Sequence, residues 1–443
     1  MAKIIPFRGI LYNPEVVPDL KLVTTPPYDV ISQEDQEVFY RNHPKNIVRL
    51  ILGKTYPSDT PKNNRYTRAA NYFNDWLAEG TLVQDAESAL YLTRIDYKMN
   101  NIEYNRYGLI GLVRLEDFEK GIILPHEKTF TATKSERLRL MEACNAHFSQ
   151  IFSIFSDPRN QVIGLLKGVV EHLPPDIDFV DFDQCRHRLW RIKERKVHQE
   201  IDRLMSQRSL YIADGHHRYE TALKYRDQIL RKRGSIDPDD PANYVMMYLT
   251  SMNDNGLTIL PVHRVITKVS TPLLDSLVES AQTYFNIDAI RLEEDRFEDT
   301  KKAFLNRLKA YAPSGGVIGA FIRGNSNFYL LHIKESVIDP LFKGELPLPL
   351  RRLDVSVLTR IIFQEILKLD HQSLDDEKLI VYTENPEEAI ERVRTSGCAV
   401  AFLMNPTRIE QVREIAQNNL LMPKKSTYFY PKVITGLVMN KIY

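Results

Sequence analysis

The chain has 443 residues, 43% of them hydrophobic, which is enough length and apolar material for two or three lobes and too much for one core. Lys and Arg total 59 against 58 Asp and Glu, a formal net charge of +1, so no global field draws the protein to nucleic acid or to an anionic membrane, and any phosphate site must be local. Residues 1–8 lack the apolar centre of a signal peptide, no later run is long enough to span a bilayer, and Cys144, Cys185 and Cys398 show no CxxC spacing; a cytoplasmic protein with buried, reduced thiols is expected.

No repeat or low-complexity segment appears, so the whole chain should fold. Hydrophobic periodicity predicts helices over 33–40 and 66–77, then strands over 89–97 and 107–115 flanking a turn at Asn100-Asn101. Thr133-x-x-Glu136 is a capping box opening a helix to about residue 146, and 151–155 reads as a buried strand. A long charged helix over 186–205 leads into a short apolar strand ending at Asp214-Gly215. Strands over 244–251 and 257–265 are predicted to form a hairpin across Asn253-Asp254-Asn255-Gly256. Beyond residue 267 helices (272–284, 297–311, 355–369, 386–394, 408–417) alternate with strands (316–322, 328–333, 379–382, 399–404), and Pro347, Pro349, Arg351 and Arg352 mark an internal loop. The fold class is therefore α+β, mixed α/β, with a lobe boundary near residue 266.

The most informative segment is Ser209 to Leu223, where a strand passes through Asp214-Gly215 directly into His216-His217-Arg218. The first N–H groups of a helix lack intrahelical partners and sit at the positive end of its dipole, so they can bind phosphate. Imidazoles and a guanidinium on the same turn add side-chain donors. An ordinary helix start, with Asp214 as N-cap, would look similar. Against it, the third helical position read from such a cap is His217 where a capping box wants Glu or Gln, and a buried stripe of Tyr219, Ala222, Leu223 and Ile229 leaves His217 and Arg218 facing elsewhere.

Asp214-Gly215-His216-His217-Arg218 at a strand-to-helix turn resembles the phosphate-binding signature of the ParB and sulfiredoxin superfamily, in particular its free serine kinases. The longer run Ala213 to Ala222 is similar to that of a former domain-of-unknown-function family, some of whose members are pyrophosphate-dependent L-serine kinases. Pro26 to Ile31, Asn46 to Leu50, Pro125 to Thr129, Ile259 to Arg264 and Ser426 to Lys432 resemble that family's other motifs in its order, so the resemblance covers nearly the whole chain. It implies an N-terminal α+β region contributing to the active site (1–120), a ParB/sulfiredoxin-like catalytic region (121–266) and an additional C-terminal α/β lobe (267–443). It also implies phosphoryl transfer from inorganic pyrophosphate, the co-substrate, to free L-serine, giving O-phospho-L-serine for serine or cysteine metabolism, with Mg²⁺ expected. The small-molecule partners are then L-serine and pyrophosphate, with no nucleic acid and no membrane; neither metal ligands nor oligomeric state follow.

Phosphoryl transfer needs a phosphate cradle, cations for the developing charge and a carboxylate for the attacking hydroxyl. Gly215, His216, His217 and Arg218, with Lys128 and His126, are the phosphate-binding candidates, and Asp214, Glu127 and Asp29 the catalytic carboxylates. His263, Arg264, Thr427 and Lys432 are carried over as substrate-binding candidates. Asp29 after Pro26-Pro27 could equally shape a turn, and Glu127 between His126 and Lys128 could be an exposed salt-bridge face. In the smaller serine kinases the base is a glutamate upstream of the signature turn, which Glu127 matches in type and order. Strand alternation sends His263 and Arg264 to opposite faces, so at most one reaches the site directly. Lys432, in an aromatic terminal segment, could be core or could close over an anion.

The chain contains neither GxxxxGK[ST] nor a GxGxxG turn nor a protein-kinase signature, which suits a donor without adenosine. ATP- or ADP-dependent serine phosphorylation on the same fold, and a non-enzymatic ParB-like nucleotide- or DNA-binding protein, are the alternatives. Sulfiredoxin chemistry lacks its nucleophile, because His216 stands where that cysteine is expected.

Overall fold

The computed structural model describes residues 2–127 and 131–443, apart from the side chains of 131–134, 294 and 371. Clustered by contact, the chain forms two compact units: Met1–Pro125, Thr129–Thr258 and Pro431–Tyr443 in the first, His126–Lys128 and Ile259–Tyr430 in the second. These limits differ from the spans 1–120, 121–266 and 267–443, because the last thirteen residues return to the first unit and three residues of its interior sequence belong to the second.

The first unit is built on a nine-stranded mixed sheet. Its order runs Ile123–Leu124, Leu210–Asp214, Ile151–Phe155, Tyr244–Ser251, Ile102–Arg114, Leu90–Met99, Arg186–Ile192, Ile177–Val180, with Ile4–Ile5 added antiparallel on Ile102–Arg114. Leu90–Met99 and Ile102–Arg114 form the predicted hairpin, and Asn100 and Asn101 take the positive φ values, 51° and 63°, that a tight hairpin turn needs. Helices Gln161–Val170, Arg195–Met205 and His216–Arg233 cover the sheet, burying Leu166, Met205, Tyr219 and Ala222 against Leu92, Leu109, Ile212 and Met247. A second cluster gathers Ile10, Val23, Ile47, Phe73 and Trp76 around Met439 from the returning terminus.

Two expectations are corrected here. Residues 186–192 are a strand, not the start of a long helix: His187, Leu189 and Ile192 are buried, all seven residues pair with Leu90–Asp96, and the helix begins only at Arg195. Charge density disguised the strand, whose Arg186, Arg188 and Arg191 are each matched by an aspartate on a neighbouring segment. The hairpin across 253–256 does not form. Both edges of Tyr244–Ser251 are taken by Ile102–Arg114 and Ile151–Phe155, so the turn, closed by Asp254 on the Gly256 N–H, sends the chain out of this sheet. The capping box at Thr133 rests on a side chain outside the described set; the helix itself spans Thr131–Cys144.

The second unit holds a six-stranded antiparallel sheet in the order Phe285–Arg291, Asn327–Ile333, Val317–Ile322, Val400–Leu403, His263–Ile266, Ile380–Thr383. Separate apolar clusters pack on its two faces, one around Ile318, Tyr329, Ile362 and Phe402, the other around Phe304, Phe321, Phe328 and Leu403. The strand Phe285–Arg291 was not anticipated, because only Phe285 of it is buried. The helix expected over 272–284 is two short ones, Thr271–Asp275 and Leu277–Ala281, meeting at Ser276, whose hydroxyl donates to the Pro272 carbonyl. The helix expected over 355–369 continues from Asp354–Val357 as the π-helical turns Leu358–Ile366, and the loop at 347–352 contains the short helix Leu348–Arg351. All three cysteines are buried thiols, and among the described residues no helix is long and apolar enough to cross a membrane.

Tyr219 links the helix His216–Arg233 to the sheet: its hydroxyl donates to Glu116 O (2.7 Å) and accepts from Glu116 N (2.9 Å) in the buried interior. Tyr219→Phe strands both backbone groups, and an unfolding free energy lower by about 1–3 kcal/mol is expected in urea titrations; an unchanged midpoint would show that water replaces the hydroxyl.

Candidate functional site

The strand Leu210–Asp214 runs beside Ile151–Phe155 with Ile212 opposite Ser153 and then Asp214 opposite Phe152, so Ala213 is an extra residue. This bulge re-aims the strand end, as bulges beside binding sites commonly do. Gly215 follows at φ +92°, a region closed to most side chains, and as N-cap of the 18-residue helix His216–Arg233 it offers no side-chain acceptor of its own. The N-cap is thus Gly215, not Asp214, and the third helical position is Arg218, not His217. The capping box is absent on either numbering, and the Asp214 carboxylate is left for other work. A Cβ on Gly215 would lie 2.9 Å from Arg218 Nε and 3.0 Å from its guanidinium carbon, so this backbone is also the surface on which Arg218 rests. His216 is buried, His217 and Arg218 half-buried. Tyr219 and Ala222 lie on the buried face as expected; Leu223 and Ile229 are only partly covered, and Thr221 and Tyr225 complete that face.

Two cations converge on Asp214. Lys432 Nζ lies 3.0 Å from Oδ2 and Arg218 Nη2 lies 3.8 Å from Oδ1. Burial alone would raise the pKa of this carboxyl; Lys432, Arg218 and His216 outweigh it and hold the group ionised well below the usual carboxylate range. Neither cation is placed by its own segment alone. Arg218 Nη1 also donates to the Gln150 carbonyl. Lys432 is held through its neighbour: the fully buried Arg106 donates from Nη2 to the Pro431 carbonyl at 2.7 Å while its guanidinium packs 4.9 Å from the Phe152 ring.

The same terminal segment positions the Pro26-Pro27-Tyr28-Asp29 turn. Thr25 and Thr435 exchange backbone hydrogen bonds (3.2 and 2.8 Å), and Thr435 Oγ1 meets Ser149 Oγ at 3.0 Å. Asp29 is exposed on the short 3₁₀ turn Tyr28–Val30. The Tyr28 hydroxyl is pushed up to about 12 by burial and then by Asp29, with Arg137 and Arg218 opposing, so Asp29, Arg137 and Arg218 all act on one ring. Tyr28, Arg137 and Gln150 were not singled out from the sequence. Tyr28 stood inside a recognised motif without a role, and Arg137 reads there as one more charged residue of a surface helix.

The remaining candidates belong to the second unit. His126 is fully buried, its Nε2 3.0 Å from Thr427 Oγ1, and its carbonyl accepts from Met422 N at 2.7 Å. Glu127 Oε1 accepts from Ser426 N at 2.9 Å and Thr427 N at 3.4 Å. His263 and Arg264 are both buried. His263 Nδ1 accepts from Met404 N, and burial, then Arg264, pushes its pKa down to about 3, so it is neutral at pH 7. Burial lowers Arg264 to about 10, leaving it charged with its Nη2 on the Lys425 carbonyl. Lys128 lies outside the described residues. Among the described residues no group of three or more His, Cys, Asp or Glu side chains could hold a metal.

A family model described as "Protein of unknown function (DUF1015)" matches residues 4–356. No curated protein matches the sequence. Solved structures with similarity include a conserved hypothetical protein from Pyrococcus furiosus (11% identity, 72% of this chain and 90% of that one covered, TM-score 0.34). A free serine kinase mutant in complex with ADP is similar at 10% identity, with 70% and 84% covered and a TM-score of 0.34. SbnI with C-terminal truncation from Staphylococcus aureus is similar at 9% identity, with 74% and 85% covered and a TM-score of 0.34.

Because the folded state holds Asp214 below its unfolded pKa of ~3.9, its ion pairs contribute stability that is present above that value and lost as pH falls below it. Lys432→Met should raise the Asp214 pKa and flatten the acid limb of the stability curve. Carboxyl ¹³C titration of Asp214 checks this, and an unmoved pKa would assign the effect to Arg218 alone.

Proposed function

The chain belongs to the family described as a protein of unknown function (DUF1015), and we propose that this member is a kinase transferring a phosphoryl group from inorganic pyrophosphate to the hydroxyl of free L-serine. One observation carries the reading: Arg218 and Lys432 converge on one ionised carboxylate at the start of an 18-residue helix. Such a place offers the positive end of a helix dipole and two cations to a phosphate that arrives there. The lack of nucleotide-phosphate loops supports a donor without a nucleoside. The motif resemblance extends from Pro26 to Lys432, and this first unit brings those two ends of it to the same turn.

In this mechanism Gly215, His216 and His217 donate to the terminal phosphate through the helix start, and Arg218 and Lys432 neutralise its oxygens. The serine Oγ attacks phosphorus, the bond to the bridging oxygen breaks, and inorganic phosphate leaves carrying the electron pair. Asp29, exposed and beside Tyr28, takes the hydroxyl proton. Asp214 is too strongly held in its ionised form to be an effective base. Its single carboxylate suits Mg²⁺, which keeps several waters and binds through one or two carboxylates plus substrate phosphates; when bound, the ion would neutralise charge on the donor. Within the second unit, Glu127 fixes the Ser426-Thr427 backbone.

Incubation with L-serine, Mg²⁺ and, in turn, pyrophosphate, ATP or ADP should give O-phosphoserine and phosphate with pyrophosphate. Product with ATP or ADP alone would replace the donor, and none with any donor would sink the kinase reading. Asp214→Asn and Arg218→Ala should each lower kcat/KM by about 10²–10³ with an unchanged circular dichroism spectrum. Asp29→Asn should lower kcat by about 10²–10⁴; full activity in that variant would remove Asp29 as base.

A further inference from the structure

Beside the phosphate turn, the first unit contains a cavity whose wall includes Tyr28, Arg137, Ser149, Arg218 and Thr221. Arg137, on the helix Thr131–Cys144, is only 8% exposed and has no carboxylate partner among the described residues. Its Nη1 donates to the Ile51 carbonyl at 2.7 Å, its guanidinium carbon lies over the Tyr28 ring 4.0 Å from the centroid, and its Nε has no hydrogen-bond partner. Arg218 on the same wall also has a buried Nε without a partner, and so does the fully buried Thr221 hydroxyl. Burial lowers the Arg137 pKa, the direction expected of a cation kept from water without a counter-ion. His147, the other titratable base in the wall, is pushed down to about 4 by burial and adds no charge at pH 7. The rest of the lining is apolar, with Ile51, Leu140, Phe148, Ile151 and Val245 prominent.

We propose that this cavity binds the carboxylate of the acceptor amino acid, with Arg137 as its main anchor and Arg218 shared between that carboxylate and the donor phosphate. Arg137, which has no carboxylate partner among the described residues, favours an anion here, because a buried charge left without a counter-charge is costly and a carboxylate supplies both charge and acceptor lone pairs; Arg218, though paired with Asp214, has an unbonded Nε on the same wall. The apolar lining favours a singly charged carboxylate over a phosphate, whose two charges would lose more hydration in such walls. The Thr25–Thr435 backbone pairing fixes the start of the turn that carries Tyr28, whose ring lies under the Arg137 guanidinium. The inference rests on the serine kinase reading for the identity of the acid, and on Arg137 and the two unbonded guanidinium Nε groups for the class of ligand.

The test compares L-serine with L-serinamide, which keeps the hydroxyl and amine and lacks the carboxylate. With pyrophosphate and Mg²⁺, the wild-type protein should favour L-serine by about 10–100-fold in kcat/KM. Arg137→Gln should raise KM for L-serine by a similar factor, leave KM for pyrophosphate within about threefold, and erase the preference over serinamide. Arg137→Lys should restore part of it. Equal use of the two acceptors by the wild-type protein, a comparison that needs no variant to fold, would overturn the inference and leave the kinase reading intact. If no donor gives product, calorimetric binding of L-serine but not serinamide, lost in Arg137→Gln, would keep the inference and overturn the kinase reading; binding of neither would overturn both.

Discussion

A largely buried carboxylate cannot remain charged without counter-charges, and the first unit is organised around meeting that need at Asp214. The bulge at Ala213 sets where the carboxylate stands, and Gly215 turns the chain so that the helix carrying Arg218 begins at once. The second cation comes from 218 residues downstream. A lysine on a loose terminal segment would gain little from such a pair, because ordering it costs as much entropy as the contact returns. Here Arg106 holds the Pro431 carbonyl, Gln150 holds the Val438 carbonyl and Thr25 pairs with Thr435, so Lys432 is ordered before it reaches Asp214.

This arrangement has a chemical consequence. The pairing that steadies Lys432 also brings in the Tyr28-Asp29 turn, so the start and end of the chain meet at one helix N-terminus. A phosphate site needs cations that are present yet able to exchange partners. Arg218 at 3.8 Å from Asp214 and Lys432 at 3.0 Å are close enough to hold the carboxylate ionised and to be redirected by a more highly charged ligand. The ion-paired stability above acid pH comes from these three groups.

Arg137 shows the opposite economy. An apolar side chain of similar volume would pack in the same wall without leaving a guanidinium unpaired, so its retention costs the free protein stability. Strained or unsatisfied groups of this kind concentrate where a ligand completes them. The contact with Tyr28 limits that cost by giving the cation a π face in place of water.

Local signals were legible wherever the deciding contacts lie within a few residues. The Asn100-Asn101 hairpin, the buried strand Ile151–Phe155, the strand-to-helix turn at Gly215 and the helix Pro386–Arg394 follow from periodicity and turn chemistry. The misreadings fall where a distant partner decided the outcome. Residues 186–192 became a strand because Leu90–Asp96 offered an edge, and the turn at 253–256 made no hairpin because its first strand had no edge left. The cap moved from Asp214 to Gly215 because the bulge re-aimed the strand end. By itself the sequence determined the chemical types at the anion turn and their order along the chain. Only tertiary structure decided that Lys432 meets Asp214, that Arg137 and Arg218 act on Tyr28, and that Arg137 lies buried without a carboxylate among the described residues, because pairing between residues far apart in the chain is set by sheet register and terminal docking, which leave no local periodicity to read.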